Sequence, residues 1–349
     1  MKEMKRQTEL DILRFGAIFA VILMHANGHE KITSHFNNTF WGCVIASTVW
    51  CVPVFFMISG RFFLDPEREN TIEKIFKKNI SHMVIVFIVW SLIYSIYYYY
   101  TGAFAGLNKW GILEEFIQGP FHFWYLLTLI SLYMLTPFLR LIVKDKKLTL
   151  YFLAISFLII LINSYVIYIP KVGHIIDTFV QRFEFKLFTG YVTYYILGYF
   201  IYKYQSEWTK KKVLTIYLAG ILMYLFTIIA QGYMIYNHIP SPAGDFIQQY
   251  QKINVIIYSS GIYFFFVNRV SQVDFSEKTK KIFARLTEYS FGVFILHGLV
   301  NSVMEYIPLP KNLPLPGVVL ILYIVLIYLG SLMGTYIIRK IPVVGKWIT

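Results

Sequence analysis

The stretch LDILRFGAIFAVILMHANG, residues 10–28, decides the fold of this chain. It is close to the ~20 residues that a helix needs to cross the ~30 Å hydrocarbon layer of a membrane, yet it contains Arg14 and His25. The whole chain has the same apolar character, since 57% of its 349 residues are hydrophobic and only 15% are charged. Soluble domains are about 25% charged. The composition therefore predicts an integral membrane protein.

Ten apolar runs predict an all-α, polytopic membrane protein with about ten transmembrane helices. They lie near 10–28, 41–60, 82–101, 122–143, 148–168, 186–203, 213–231, 253–270, 288–306 and 316–338. Helices are expected because they satisfy their backbone hydrogen bonds within one segment, where no water is available. Because no repeat or soluble domain interrupts the runs, residues 1–349 are predicted to form a single transmembrane domain.

The loop charges predict the orientation. Alternate loops and both terminal tails together contain 24 Lys and Arg residues, whereas the remaining loops contain 7. Positive residues are concentrated on the cytoplasmic side of membrane proteins. Both termini are therefore expected to be cytoplasmic.

The net charge of +13 could suggest a nucleic-acid partner. Its cations are spread over many short loops and form no single basic surface, so no nucleic-acid groove is expected. The lipid bilayer is the partner that this composition predicts.

Arg14 and His25 are costly inside a membrane span and are functional candidates. Eleven residues of helix amount to about three turns, so both side chains project from one face, ~16 Å apart along the axis. Arg14 is expected towards the cytoplasm, as an anion-binding group, and His25 towards the outer side, as a base or nucleophile. The alternatives are a snorkelling Arg14 paired with Asp11 and a buried His25 bonded to a neighbouring helix.

Two further histidines lie within predicted spans. His122 opens the fourth span beside Trp124 and Tyr125, and His297 lies near the middle of the ninth. An anchor at the membrane interface is the alternative for His122, and a helix–helix hydrogen bond is the alternative for His297.

The basic inner loop 61–81 is a candidate for phosphate binding. It contains Arg61, Arg68, Lys74, Lys77 and Lys78. Spaced cations suit polyphosphates, although the orientation signal alone also explains such a cluster. No phosphate-loop, GxSxG or HExxH motif is present in the sequence, so no metal is expected.

These motifs resemble the membrane acyltransferase-3 family, bacterial O-acyltransferases of surface glycans, in its branch without an attached hydrolase-like domain. The matching segments, in chain order, are Arg14 with His25, FFMISGRFFL at 55–64, His122-Phe123-Trp124-Tyr125 with Thr136-Pro137, GYVTYYILGYFI at 190–201, and Ser290-Phe291-Gly292 with His297. One departure concerns the Arg-x-x-Arg pair that family members commonly have before the third span. Here the stretch reads Lys77-Lys78-Asn79-Ile80-Ser81-His82.

The resemblance implies an O-acyltransferase, a multi-pass protein of the cell membrane. It implies acyl-CoA as the cytoplasmic donor, with acetyl-CoA the expected form, and a hydroxyl of an extracytoplasmic glycan or glycolipid as acceptor. Two site residues are expected to be catalytic, His25 and Arg14. The expected donor-binding residues are Arg14, Arg61, Lys77, Lys78 and His82, and the expected acceptor-binding residues are His122, Trp124, Tyr125 and His297.

Two other functions use the same residues. A transporter or flippase for a small solute or glycan precursor would place Arg14 and His25 along a solute pathway, without acyl transfer. It is disfavoured by the absence, from the sequence, of Gly/Pro-broken spans repeated in two similar halves. A protein that only binds glycan would tolerate loss of His25.

Overall fold

The structure, a computed structural model, describes residues 6–26, 35–180, 182, 186–239, 248–306, 316–342 and 345–349. Within these ranges the chain is all-helical and contains no strand. The α-helices are α1 Thr8–His25, α2 His35–Thr48, α3 Cys51–Phe63, α4 Ile72–Lys74, α5 Ser81–Tyr100, α6 Lys109–Gln118, α7 Trp124–Lys144, α8 Lys146–Tyr165, α9 Gly173–Val180, α10 Lys186–Thr189, α11 Val192–Tyr204, α12 Lys210–Tyr236, α13 Ile253–Asn268, α14 Glu277–Met304, α15 Pro316–Arg339 and α16 Gly345–Ile348.

Seven helical stretches of the described chain are long and apolar enough to cross a membrane. They are Thr39–Phe63, Ile72–Tyr100, Phe121–Lys144, Lys146–Tyr165, Lys210–Tyr236, Ile253–Gln272 and Leu320–Arg339. The predicted spans 186–203 and 288–306, and the described part of span 10–28, also contain helix but fall outside these seven; span 186–203 is divided between α10 and α11 by a break at residues 190–191. Helix α1, for example, contains Glu9, Asp11 and Arg14 within its 18 residues. The total of ten spans and the cytoplasmic termini stay predictions.

The predicted span 41–60 is interrupted. Its residues belong to α2 and α3, with a turn at Val49 and Trp50 between them. Pro53, the third residue of α3, explains the interruption, because proline has no N–H to donate to the carbonyl one turn earlier.

The predicted inner loop 61–81 is wrong in part, because helix occupies both of its ends. Arg61 lies in the last turn of α3. Lys77 and Lys78 lie in a π-helical segment, Ile75–Ile80, that joins α4 to α5. Such segments are rare and often occur at functional sites.

The described residues fall into two compact units. The first unit combines Met1–Met24, Thr33–Glu69 and Phe138–Phe283, and the second combines His25–Ile32, Asn70–Pro137 and Ala284–Thr349.

Close packing of α3 against α11 organises the first unit. A Cβ atom on Gly60 would come within 1.8 Å of the Tyr195 carbonyl oxygen, and one on Gly198 within 2.1 Å of the Met57 carbonyl oxygen. Only glycine allows backbones to approach so closely. These contacts explain two of the motifs described above, because Gly60 lies within FFMISGRFFL and Gly198 lies within GYVTYYILGYFI.

The second unit contains α5, α15, the part of α7 up to Pro137 and the part of α14 from Ala284 onwards. A Cβ atom on Gly292 of α14 would lie 2.2 Å from the Thr335 side chain of α15, so these helices also pack at glycine. The indole Nε1 of Trp90 in α5 donates to the carbonyl of Ile348. This packing brings three histidines from distant parts of the sequence together.

Candidate active site

His25 is the last residue of α1, and its side chain is bonded to helix α14. Its Nδ1 lies 2.9 Å from Nε2 of His297, and the two rings are nearly parallel. Its backbone carbonyl accepts from the amide of Asn301, which is held in turn by the hydroxyl of Tyr323. Phe121 packs edge-on against the imidazole, with ring centroids 4.9 Å apart. The end of α1 is therefore fixed by both backbone and side-chain contacts.

The surroundings of His297 fix where the protons lie. Its Nδ1 is 2.5 Å from the carbonyl oxygen of Phe294, which can only accept, so Nδ1 carries the hydrogen. In the neutral ring Nε2 must then accept, and Nδ1 of His25 donates to it. The lone pair of His25 is consequently on Nε2, where it can take a proton or attack a carbonyl. We call this arrangement the histidine relay, made of Phe294, His297 and His25.

His122 lies against this relay. It is buried, and its ring centroid is 4.7 Å from that of His297. Its Nε2 faces the carbonyl of Ile295 at 3.3 Å. Its Nδ1 is buried and has no hydrogen-bond partner within the part of the chain that the structure describes. A buried polar atom of this kind suggests a hydrogen bond to a substrate.

Tyr94 and Gly298 hold His122 in place. The hydroxyl of Tyr94 donates to the carbonyl of Ile295 and accepts from the amide of Leu299. A Cβ atom on Gly298 would lie 2.8 Å from Cε1 of His122 and 3.0 Å from the Tyr94 hydroxyl. Glycine is therefore required at position 298 for His122 to pack against α14.

Trp124 and Tyr125 follow His122 at the start of α7. Both are half-buried, and Tyr125 packs edge-on against Phe294, with ring centroids 5.3 Å apart. Tyr125 therefore contacts the residue whose carbonyl begins the histidine relay.

A second polar group surrounds the ring of Phe62 in the first unit. The guanidinium carbons of Arg68, Arg14 and Arg61 lie 4.6, 5.1 and 5.8 Å from the ring centroid. Contacts at this distance are attractive, because the face of an aromatic ring is electron-rich. We call Arg14, Arg61 and Arg68 the arginine cluster.

Two aspartates and Arg140 hold the arginine cluster in position. Asp65 pairs with Arg61 at 2.8 Å and with Arg68 at 3.7 Å, and Asp11 pairs with Arg14 at 3.5 Å. Arg140 donates to the backbone carbonyls of residues 65 and 68, both at 2.8 Å. The segment after α3 is thus attached to the end of α7.

Positive charge exceeds negative charge in this cluster. With Arg6, which pairs with Asp11 at 2.6 Å, four guanidiniums face three carboxylates, because Glu9 also interacts electrostatically with Arg61. Partial burial and, next, the charge of Arg61 lower the pKa of Arg68. Among the described residues, the buried Nε atoms of Arg61 and Arg68 have no hydrogen-bond acceptor. An anion with several oxygens would satisfy both the charge and these donors.

The remaining predicted donor-binding residues lie in the second unit. Lys77 is exposed and pairs with Glu73 one turn earlier, at 2.7 Å, and Lys78 is exposed as well. The ring of His82 packs against Phe291 and Trp347. Their grouping with Arg14 and Arg61 into one donor site stays a prediction.

The alternatives considered for Arg14 and the histidines are partly present. Arg14 does pair with Asp11, and it also contacts Phe62. The helix–helix hydrogen bonds considered for His25 and His297 are one and the same bond. His122 is buried against other rings, which does not fit an anchor at the membrane interface. In the described residues, no group of three His, Cys, Asp or Glu side chains could hold a metal ion.

The sequence does not indicate Arg140 or Phe62 as site residues, and it indicates Arg68 only as one cation of the basic loop. The available signal was the spacing of Arg61, Asp65 and Arg68 across the end of α3, which favours ion pairs three and four residues apart. The involvement of Arg140 had no local signal, because it lies 75 residues from Asp65.

Comparison with known proteins agrees with the sequence motifs. The Acyl_transf_3 family, described as an acyltransferase domain, matches residues 7–340. No curated protein and no solved structure matches the chain. The family match spans almost the entire chain, including α1 and both groups of site residues. This all-helical, multi-pass membrane protein therefore belongs to the acyltransferase-3 family and is a membrane O-acyltransferase.

Proposed function

We propose that the protein transfers an acyl group, acetyl in the simplest case, from cytoplasmic acyl-CoA to a hydroxyl of an extracytoplasmic glycan or glycolipid at the cell membrane. The observation that carries this proposal is the histidine relay, which leaves the Nε2 lone pair of His25 available for a substrate. Family membership supports acyl transfer over a transporter that performs no chemistry.

His25 supplies the base in this reaction. Its Nε2 takes the proton of the acceptor hydroxyl as the oxygen attacks the thioester carbonyl, the C–O bond forms, and the C–S bond breaks. The proton then passes from Nε2 to the departing CoA sulfur, so the histidine is neutral again. In a second route Nε2 itself attacks the thioester, the C–S bond breaks and CoA leaves as a thiolate. The acceptor oxygen then attacks the acyl carbon, the C–N bond breaks, and the acceptor proton passes to the thiolate. Both routes need the same tautomer of His25.

His297 is a positioning residue for that step. It accepts a hydrogen bond from Nδ1 of His25, and this bond fixes the orientation of the imidazole. The same bond supports the positive charge that develops when Nε2 is protonated. His122, with its unpartnered Nδ1, together with Trp124 and Tyr125, supplies contacts to the acceptor.

The arginine cluster provides the donor site. The CoA end of acyl-CoA carries phosphate groups, and guanidiniums bind phosphate oxygens through pairs of N–H groups. Arg14 and His25 share helix α1, where eleven residues correspond to ~16 Å along the axis. In acyl-CoA, the long pantetheine arm likewise separates the thioester from the phosphates. We assign Arg14, Arg61 and Arg68 to the phosphates, with Lys77, Lys78 and His82 as further candidates.

A labelled-donor assay tests the proposal. Purified protein in liposomes is given radiolabelled acetyl-CoA with candidate glycans, and release of CoA and label on the glycan are measured. We expect both for the parent protein and neither for His25→Ala. His174→Ala, which changes an exposed histidine in α9, serves as the matched control. Movement of solute without release of CoA, or transfer by His25→Ala at the parent rate, would overturn the proposal.

A truncated donor tests the role of the arginine cluster. Acetyl-pantetheine keeps the thioester and lacks the phosphates that the cluster is proposed to bind. We expect it to react with a much higher KM than acetyl-CoA, and we expect Arg68→Lys to raise the KM of acetyl-CoA alone. An equal effect of Arg68→Lys on both donors would contradict phosphate binding at this cluster.

A further inference from the structure

A cavity of about 340 Å³ opens in the first unit, apart from the arginine cluster. Its floor is apolar and is formed by Ile45 and Val49. Its walls include Met24, Tyr191 and Tyr250. The volume falls within the range of pockets that bind small molecules. Met24 directly precedes His25 in the chain, so the cavity shares helix α1 with the proposed base.

The wall formed by Tyr250 is held in place. The hydroxyl of Tyr194 donates to the Tyr250 carbonyl, and the hydroxyl of Tyr250 donates to the sulfur of Met24 at 3.4 Å. Tyr191 is fixed by Phe56, at 4.7 Å between ring centroids. The two tyrosine rings therefore form preorganised surfaces.

The described lining of the cavity is neutral, which favours an uncharged ligand. The polar part of the rim is formed by the amides Gln248, Gln249 and Gln251, and no side chain that lines the cavity in the described chain is charged. Amides donate and accept hydrogen bonds in neutral form. Aromatic faces beside neutral amides suit a ligand with apolar C–H faces and many hydroxyl groups.

The sequence pattern places this cavity at the acceptor side. Met24, Ile45, Tyr191 and the segment 248–251 all lie at ends of spans that the loop charges predict to be outer. The arginine cluster instead lies at predicted inner ends. Neutral hydrogen-bonding groups and anion-binding groups are thus separated along the predicted membrane axis.

We propose that the cavity between Tyr191, Tyr250 and the three glutamines binds a neutral sugar unit of the acceptor glycan. This proposal rests on the acyl transfer proposed above, but its binding step can be measured without any reaction. The rings of Tyr191 and Tyr250 contact the faces of the sugar, and the glutamine amides bond to its hydroxyl groups.

Saturation-transfer NMR on the full chain in lipid nanodiscs tests the site. The probes are maltotetraose and a tetrasaccharide of N-acetylglucosamine, with oligogalacturonate as the anionic comparison. We expect saturation of at least one neutral probe for the parent, at least a fivefold loss for Tyr191→Leu and Gln249→Ala, and retention for the matched controls Tyr236→Leu and Gln118→Ala. Gln249 is exposed, so its substitution leaves the fold intact.

Three results would overturn the proposal: saturation of the anionic probe alone, no saturation of any probe, or equal saturation in parent and both cavity variants. None of them bears on acyl transfer, which is read separately as CoA release from labelled acetyl-CoA. Conversely, sugar binding at the cavity by a protein that never releases CoA would retain the sugar site and reject the proposed reaction.

Discussion

Helix α1 contributes a charged residue near its start and a neutral, hydrogen-bonded residue at its end, and the two neighbourhoods differ in every respect. Around Arg14, three guanidiniums gather at one aromatic ring, and together with Arg6 they exceed the negative charge of Asp11, Asp65 and Glu9. Around His25, the polar groups are the imidazole of His297, the Phe294 carbonyl and the side-chain amide of Asn301, and aromatic rings lie beside them. One neighbourhood is prepared for an anion and the other for a proton.

This difference indicates a division of labour. Guanidiniums remain charged at all accessible pH values and bind phosphate, but they are poor bases. A neutral imidazole with a fixed tautomer is a good base, but it binds anions weakly. An enzyme that must hold a polyphosphate donor and activate a hydroxyl needs both kinds of group.

The largest expected effect comes from removing the base. His25→Ala should abolish detectable transfer, because losing a general base alone costs about 10²- to 10⁴-fold in rate, while donor binding is unchanged. Labelled acetyl-CoA provides the rate, and calorimetric titration with CoA provides the binding. His174→Ala should match the parent in both measurements. A parent-like rate in His25→Ala would break the comparison at once.

A smaller loss should follow from displacing His122 without touching any histidine. Gly298→Ala would place a Cβ atom 2.8 Å from the His122 ring, so the ring must move. We expect a fall in transfer rate of up to about 100-fold, because misplacement by ~1 Å has such effects. Gly16→Ala is the matched control, since the nearest atom to its new Cβ would be 3.9 Å away. Equal rates for the two variants would show that the position of His122 is irrelevant.

The arginine cluster should respond in binding and not in rate. Arg68→Lys removes the planar donor pair and keeps the charge, so the KM for acetyl-CoA should rise about tenfold with kcat nearly unchanged. Arg285→Lys, at an exposed position of α14, serves as control. A fall in kcat without a change in KM would show that Arg68 acts in the chemical step. It would contradict the proposed division between donor binding at the arginine cluster and catalysis at His25.

The smallest effect is expected at Lys77. Its side chain is exposed and already paired with Glu73, and exposed pairs contribute at most about 1 kcal/mol. Lys77→Ala should therefore raise the KM for acetyl-CoA by less than about fivefold. If Lys77→Ala raised the KM for acetyl-CoA more than Arg68→Lys does, the donor phosphates would bind at the Lys77-Lys78 segment and not at the arginine cluster.

Hydropathy predicted most helices but misplaced their ends, for identifiable reasons. Helix α14 begins at Glu277, eleven residues before the predicted span, because a polar segment can continue a helix without any hydropathy signal. Helices α6 and α9 lie outside the ten predicted spans because, at 10 and 8 residues, each is too short to cross a membrane. Pro53 explains the interruption between α2 and α3, but hydropathy averaged over a whole span does not detect a single proline.

The candidate site divides in a similar way. The spacing of Arg14 and His25 was enough to predict that both lie on one face of α1, because the direction of a side chain along a helix depends only on local geometry. The pairing of His25 with His297 joins residues 272 positions apart, and no local rule identifies such a partner. Arg68 is chosen over Lys77 as the phosphate-binding residue because it is more buried. The sequence alone presents the two as equivalent cations of one basic segment.

The most direct test measures single-turnover transfer from saturating labelled acetyl-CoA in His25→Ala and Arg68→Lys side by side. The account predicts no transfer by His25→Ala, despite parent-like affinity for CoA, and a near-parent rate by Arg68→Lys once the donor saturates it. Transfer by His25→Ala together with a persistent defect in Arg68→Lys would contradict it.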